Sequence, residues 1–229
     1  MARAYDIVTF DCYGTLIDWE AGIAAAFRKA AAADGVALDT AAVRAAYAQL
    51  EPTVEAQPYR RYRDVLAETA RRVAERLGWR LPAPRATFLA ASVPGWRPFP
   101  DTNPTLERLA GAGYRLGILS NIDDDLLAAT RRHLTVGFDL VITAQQVNAY
   151  KPAHAHFLAA RRSIGARPWL HAAQSYFHDV VPARALDIPV AWINRKGEAA
   201  RGAARPDHEL STLTGLADLL CGRPPEGDR

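Results

Sequence analysis

The chain opens with a short apolar segment that ends in an acidic residue. Residues 5–10 are rich in β-branched and aromatic side chains, Asp11 follows directly, and Gly14 marks a turn. A continuous apolar run of this length is typical of a strand buried inside a parallel sheet. The pattern therefore predicts a first strand with Asp11 at its carboxyl end.

Residues 19–79 carry apolar positions at helical spacing. Residues 41–50 continue this spacing, and Pro52 and Pro58 are expected to interrupt it, because proline lacks the N–H that a helix interior needs. The next helix is expected over residues 62–77, which are rich in arginine and glutamate. This part of the chain is therefore predicted to be a helical block.

Beyond residue 97 the pattern changes to alternating strands and helices. Helices are predicted at 105–112, after Asn121 and at 153–163, and strands at 114–119, 138–143, 172–173 and 190–193. Such alternation indicates βαβ units and a doubly wound sheet. The predicted fold is α/β, a Rossmann-like parallel sheet core (residues 1–17 and 97–229) with an inserted helical cap (residues 18–96). Residues 223–229 are expected to be disordered.

Composition narrows the class of protein. The 229 residues are 49% hydrophobic and 23% charged, and the net charge of +3 comes without dense basic runs, so binding to nucleic acid is not expected. The two cysteines have no metal-type spacing. No leader is expected before the first strand, and no run approaches the roughly 18 apolar residues of a membrane span. A cytoplasmic protein without membrane contact is expected.

Polar residues follow the predicted strands at their carboxyl ends, where open α/β sheets bind their ligands. This rule selects Asp11, Ser120 with Asn121, the loop at residues 143–151 and the segment near Asp179. The strands that lead to these positions are apolar. We therefore expect these groups to share one cleft.

Asp11 is the candidate nucleophile. A carboxylate can attack an electrophilic carbon or phosphorus atom and form an ester that water then hydrolyses. Gly14 permits the sharp turn that leaves the carboxylate accessible. Asp18 is interpreted as a helix cap, and the histidines share no spacing that predicts a metal site.

Four segments together resemble the motifs of the haloacid dehalogenase superfamily. They are FDCYGTLID at residues 10–18, Ser120 with Asn121, Lys151 with Pro152, and Asp179. Their order and spacing are those of the superfamily, over nearly the whole chain. The resemblance implies a hydrolase in which Asp11 is the nucleophile and in which Lys151 and Asp179, also catalytic, position Asp11 and the hydrolytic water.

Two positions favour the branch of L-2-haloacid dehalogenases. Tyr13 stands where phosphatases of the superfamily carry an acid for the leaving group, and Gln174 stands where they often carry a metal-binding acid. Halide leaves without a proton, so dehalogenation does not need that acid. The resemblance implies hydrolysis of small 2-haloalkanoic acids to 2-hydroxy acids through a covalent Asp11 ester. It also implies a small anionic substrate, no cofactor and pairing into a homodimer.

The resemblance further implies a substrate pocket. Thr15, Ser120 and backbone amides near the turn are expected to hold the substrate carboxylate, and Asn121 with a cap arginine is expected to stabilise the departing halide. Arg44 and Arg60 are the candidate cap arginines. The remaining substrate-binding residues are expected to be Tyr13, Ser175 and His178.

Three alternatives stay open. A Mg²⁺-dependent phosphatase of the same superfamily would hold the ion with Asp11, Asp179 and the backbone carbonyl of Tyr13, and would act on a small phosphate ester. A relative of the dehalogenases would open another carbon electrophile, such as a strained small ring. A binding protein would have kept the fold and lost turnover, but the intact Asp11, Lys151 and Asp179 argue against it.

Overall fold

A parallel sheet of six strands forms the centre of the molecule. The computed structural model describes residues 3–223. The strands are β1 (Ile7–Phe10), β2 (Arg115–Ser120), β3 (Leu140–Thr143), β4 (Trp169–Ala173), β5 (Val190–Ile193) and β6 (His208–Leu210). Their order is β3-β2-β1-β4-β5-β6, and every neighbouring pair is parallel. The predicted Rossmann-like α/β fold is confirmed. The order changes direction between β1 and β4, which is where sheets of this type bind ligands.

Both faces of the sheet are buried. In β1, Val8 and Phe10 enter one apolar cluster, while Ile7 enters a second cluster on the opposite face. Burial on both faces explains why the strands read as continuous apolar runs. The helices that connect or follow the later strands are α5 (Thr102–Gly111), α6 (Asp124–Arg131), α7 (Ala144–Val147), α8 (Ala155–Ile164), α9 (Val181–Ala185) and α10 (Leu213–Cys221). Within the described part of the chain, no helix is long and apolar enough to cross a membrane.

Four helices lie between β1 and α5. They are α1 (Trp19–Ala32), α2 (Thr40–Glu55), α3 (Tyr62–Arg76) and α4 (Phe88–Ser92). The two segments that join this helical insert to the sheet run side by side, because the N–H of Asp18 donates to the carbonyl of Arg97 at 2.9 Å. The division into core and cap at residues 17 and 97 stays a prediction.

Helix α2 is longer than the sequence indicated. It was expected to end at Leu50, before Pro52, but it continues through the proline to Glu55. The proline removes one helical N–H, yet the residues after it are held by tertiary contacts: Val54 and Glu55 are buried. Packing has therefore overridden the local preference of proline.

The C-terminal elements β6 and α10 were not predicted. Strand β6 has three residues at the sheet edge, and its partly buried side chains give no apolar run to recognise. Helix α10 does carry an apolar face, which packs against α5 through Leu213 and Leu216. Of the segment expected to be disordered, only Arg223 is described, and residues 224–229 lie outside the described residues.

Gly22 provides a test of the contact between α1 and the segment that returns to the sheet. A Cβ at Gly22 would lie 2.5 Å from ring carbons of Trp96, and Trp96 in turn packs edge-on against Tyr13, with ring centroids 5.8 Å apart. Gly22→Ala is therefore expected to lower the free energy of unfolding by roughly 1–3 kcal/mol through overpacking. Gly111→Ala is the control, since a Cβ there meets nothing within 4 Å among residues 3–223. Equal stability of the two variants in urea unfolding would contradict this interpretation.

Candidate active site

The polar groups predicted to share a cleft come together at one edge of the sheet. Asp11 follows β1, and Ser120 ends β2. Lys151 lies in the loop after α7, the short helix that follows β3, and Asp179 lies in a π-helical turn after β4. All four residues line a single cavity of about 240 Å³ between the sheet and the helical insert. The strand-end rule therefore located the groups correctly.

Lys151 joins the two carboxylates of this site. Its ammonium group donates to Asp11 Oδ1 at 2.9 Å, to Asp179 Oδ1 at 2.6 Å and to the carbonyl of Leu119 at 2.9 Å. Lys151 is only 1% exposed. All three protons of the ammonium group are therefore used in hydrogen bonds within the protein, and none is left to donate to a ligand. The positive charge of Lys151 acts on the two carboxylates.

Burial and charge act differently on the three ionisable groups. Burial alone would lower the pKa of Lys151, but the two carboxylates outweigh it and raise that pKa above its usual value. Burial would raise the pKa of Asp179, but Lys151 and His171 outweigh it and lower that pKa to about 2. For Asp11, burial prevails over the opposing effect of Lys151, and the pKa is raised. Asp11 is therefore the more basic of the two carboxylates.

The second oxygen of Asp11 is held by Thr15. The Thr15 hydroxyl donates to Asp11 Oδ2 at 2.9 Å and accepts the N–H of Gln174 at 2.9 Å. Gly14, at φ +98°, makes the turn that brings Thr15 back to the carboxylate. Thr15 is fully buried and does not line the cavity, so it holds the Asp11 carboxylate from behind and is not placed to hold a substrate carboxylate as predicted.

Asp179 is held through one oxygen only. Its Oδ1 accepts from Lys151 and lies 3.0 Å from His171 Nε2, while the other ring nitrogen of His171 lies 2.9 Å from the hydroxyl of Thr9. Its Oδ2 is buried and has no hydrogen-bond partner among the residues that the structure describes. An ionised carboxylate oxygen beside the nucleophile is suited to orient a water molecule. His171 was not predicted as a site residue.

Ser120 and Asn121 differ in what they offer a ligand. The Ser120 hydroxyl is buried and lacks a partner within residues 3–223. The Asn121 amide group donates to Glu55 Oε1 and to the carbonyl of Lys151, both at 3.0 Å, and its oxygen accepts the N–H of Lys151 at 2.7 Å. Ser120 is thus free to bind substrate, whereas Asn121 holds the lysine loop.

Arg44 and Arg60 were predicted as the cap arginines at the substrate, but neither residue lines the cavity. Arg44 is exposed one helical turn before Ala48 and lines a separate surface depression beside Asp18. Arg60 lies in the connection between α2 and α3 and donates to Gln57 Oε1 at 3.2 Å. The register of α2 turns Arg44 away from Asp11, and Arg60 lies beyond the end of that helix.

Tyr13, Ser175 and His178, also predicted as pocket residues, do line the cavity. Tyr13 faces it, and its hydroxyl lies 2.7 Å from that of Thr130. Ser175 accepts the N–H of His178 at 3.1 Å and thereby fixes the start of the turn that carries Asp179. The roof is aromatic and comes mainly from the helical insert. It is formed by Trp19, Tyr47, Tyr62 and Trp96.

Two glutamates of the helical insert line the cavity and were not predicted from the sequence. Glu51 and Glu55 lie one turn apart on α2 and both line the cavity. Tyr62 donates to Glu51 Oε1 at 3.0 Å, and His178 Nε2 lies 3.4 Å from Glu55 Oε2. Burial and the neighbouring Glu55 raise the pKa of Glu51 to about 7. The two glutamates have the i, i+4 spacing of neighbours on one helix face, but the helix was expected to end at Leu50, before both of them.

Mg²⁺ does not fit the donors at this site well. The predicted ligands Asp11 and Asp179 already share the ammonium group of Lys151, and the neutral Gln174 occupies the place of a third acid. Among residues 3–223, no group of three or more His, Cys, Asp or Glu side chains is arranged to hold a metal ion. Hard divalent ions prefer several oxygen ligands that are not already neutralised.

Comparison with known proteins gives a consistent family. The model of the haloacid dehalogenase-like hydrolases matches residues 5–170. The chain is 28% identical over 220 residues to the (S)-2-haloacid dehalogenase of Pseudomonas sp. (strain YL), covering 93% of each chain. The solved L-2-haloacid dehalogenase of Xanthobacter autotrophicus shares the fold, with a TM-score of 0.81, 23% identity and coverage of 96% of this chain and 100% of that chain. The same enzyme with chloropropionic acid covalently bound has a TM-score of 0.79 and 21% identity, with the same coverage.

The parallel α/β sheet carries a buried carboxylate, bound to a lysine, after its first strand and at its switch point. The family match extends over most of the chain and includes that strand and the lysine. This protein belongs to the haloacid dehalogenase-like hydrolases.

Proposed function

We propose that this protein converts a small 2-haloalkanoic acid to the 2-hydroxy acid through an ester on Asp11. The observation that carries the proposal is the setting of Asp11 at the cavity, held by Lys151 and Thr15, with Tyr13 in place of an acid two residues later. The relatives named as haloacid dehalogenases support the choice of a carbon–halogen bond.

The first step is displacement at carbon. An oxygen of Asp11 attacks the carbon that carries the halogen, a C–O bond forms, and the halide leaves with the electron pair of the C–halogen bond. No proton is transferred, so the absence of a carboxylic acid at Tyr13 is no obstacle. When Asp11 becomes a neutral ester, Lys151 stays paired with Asp179 at 2.6 Å.

The second step is hydrolysis of the ester. Water attacks the carboxyl carbon of Asp11, the product alcohol leaves with the oxygen that attacked in the first step, and one proton is released. Asp179 Oδ2 is the buried acceptor that can orient this water. With a pKa of about 2, Asp179 is a weak base, and its contribution is orientation more than proton removal.

The proposal is tested by halide release from the two enantiomers of 2-chloropropionate, with para-nitrophenyl phosphate assayed in parallel. We expect halide from one enantiomer and no phosphate release above background. Phosphate release that exceeds halide release would move the protein to the phosphatase branch.

Removal of divalent metal is expected to leave dehalogenation unchanged. The reason is that Lys151 already pairs with the two carboxylates that would hold the ion. The measurement is halide release in EDTA and after addition of Mg²⁺. A strict requirement for the added ion would contradict the metal-independent mechanism.

A further inference from the structure

The cap side of the active-site cavity is acidic. Glu51 and Glu55 face the same space as Asp11 and Asp179, so four carboxylates line it. Its basic residues are Lys151 and His178, and in the described part of the chain no arginine lines it.

Both basic groups are already paired. Lys151 is bound to Asp11 and Asp179, and His178 lies against Glu55 at 3.4 Å. Glu51 has only the hydroxyl of Tyr62 as a donor among residues 3–223. A substrate that is only an anion would meet repulsion from this wall, whereas a positive charge would be attracted to it.

We propose that the substrate also carries an ammonium-type cation, which Glu51 and Glu55 bind from the cap side. This inference rests on the proposed function and narrows its substrate to an amino-substituted 2-haloalkanoic acid. Glu51 and Glu55 are then specificity-determining residues.

The two walls of the cavity suit the two ends of such a molecule. On the core side, the buried Ser120 hydroxyl is without a partner in the described residues and is available to the substrate carboxylate. On the cap side, carboxylate oxygens are flanked by the aromatic rings of Trp19, Tyr47 and Tyr62. Aromatic faces add to the binding of a cation.

The charge of the cap wall depends on pH. The groups that face Glu51 are Glu55 on its own helix, Tyr47 and Tyr62 in the cap, and His178 from the core. Since the pKa of Glu51 is raised to about 7, this group is largely protonated at pH 6 and ionised at pH 8. A cationic ligand favours the ionised form, so its affinity should rise between these values as a proton is released.

Calorimetric titration with unreactive ligands tests the charge preference directly. We expect 3-aminopropanoate to bind about tenfold more tightly than propanoate or 3-hydroxypropanoate at pH 8, with a smaller preference at pH 6. Glu51→Gln and Glu55→Gln should each reduce this preference severalfold. Glu75→Gln, an exposed glutamate of the cap, is the matched control and should leave it unchanged.

The turnover assay separates this inference from the proposed function. Halide release from 3-amino-2-chloropropanoate should exceed that from 2-chloropropanoate in kcat/KM, and Glu51→Gln should reverse the order. Halide from neither compound, together with preferred binding of 3-aminopropanoate, would overturn the dehalogenase proposal and leave the cation site standing. Equal or tighter binding of propanoate by the unaltered protein would overturn the cation site, and that result needs no variant to fold.

Discussion

Replacing Asp11 with asparagine is expected to lower kcat by about 10⁴-fold or more, because the amide is nearly the same shape but is not an anionic nucleophile. The fold should survive, since Lys151 keeps its bond to Asp179 and Thr15 keeps an acceptor at residue 11. Halide release and thermal unfolding of the variant measure the two effects. Asp18→Asn, the same change at a helix cap, is the control and should retain activity.

Labelled water shows whether Asp11 attacks carbon itself. In a single turnover in ¹⁸O-water with excess enzyme, the product should carry the unlabelled oxygen of Asp11, and the label should appear in the Asp11 carboxylate. Mass spectrometry of the product and of the peptide that contains Asp11 gives both readings. Label in the product during the first turnover would show direct attack by water and leave Asp11 at most a general base.

Replacing Lys151 with methionine is expected to lower the free energy of unfolding by about 3–5 kcal/mol at pH 7 and to abolish turnover. The cause is that Asp11 and Asp179, both buried, lose the single cation between them. Lys196→Met removes an exposed lysine that pairs with Glu20, and this control should cost no more than about 1 kcal/mol. Destabilisation by Lys151→Met that is no larger than this would contradict the assigned role of the lysine.

The decrease in the free energy of unfolding caused by Lys151→Met should be larger at high pH than at low pH. In the unaltered protein the folded-state pKa of Asp179 is about 2, below its unfolded value, so this group stabilises the fold above pH 4 and the benefit disappears as the pH falls towards 2. Without the lysine, burial raises the pKa of both carboxylates above the unfolded value. The destabilisation should therefore be smaller at pH 4 than at pH 8. Urea unfolding at the two pH values measures the difference.

The sheet side of the candidate site could be predicted from sequence because its residues lie at or beyond the carboxyl ends of strands. Apolar runs identify the strands, and parallel strands bring Asp11, Ser120 and the Lys151 loop to one edge. Once these residues lie at the same edge of the sheet, the long side chain of Lys151 can reach and bind both carboxylates.

The cap side of the site could not be predicted in the same way. Which residues of α2 face the nucleophile depends on the rotation of that helix and on its continuation past Pro52. Both depend on tertiary packing. From the sequence alone, Pro52 indicated that the helix ends before it. Arg44 was expected in the pocket from the resemblance to the family alone, whereas the residues of α2 found there include Glu51 and Glu55.

The first amides of helix α3 are bound by a carboxylate from outside the helical insert, on the segment between β2 and α6. Asp123, fully buried, accepts the backbone N–H groups of Tyr62 and Arg63 at 3.0 and 3.1 Å, and the guanidinium groups of Arg61 and Arg63 also bind it. The residue before the helix, Arg61, supplies no side-chain cap. Any motion that separates the start of α3 from Asp123 exposes the two amide protons and the buried carboxylate together. The amides of Tyr62 and Arg63 should therefore exchange with solvent slowly.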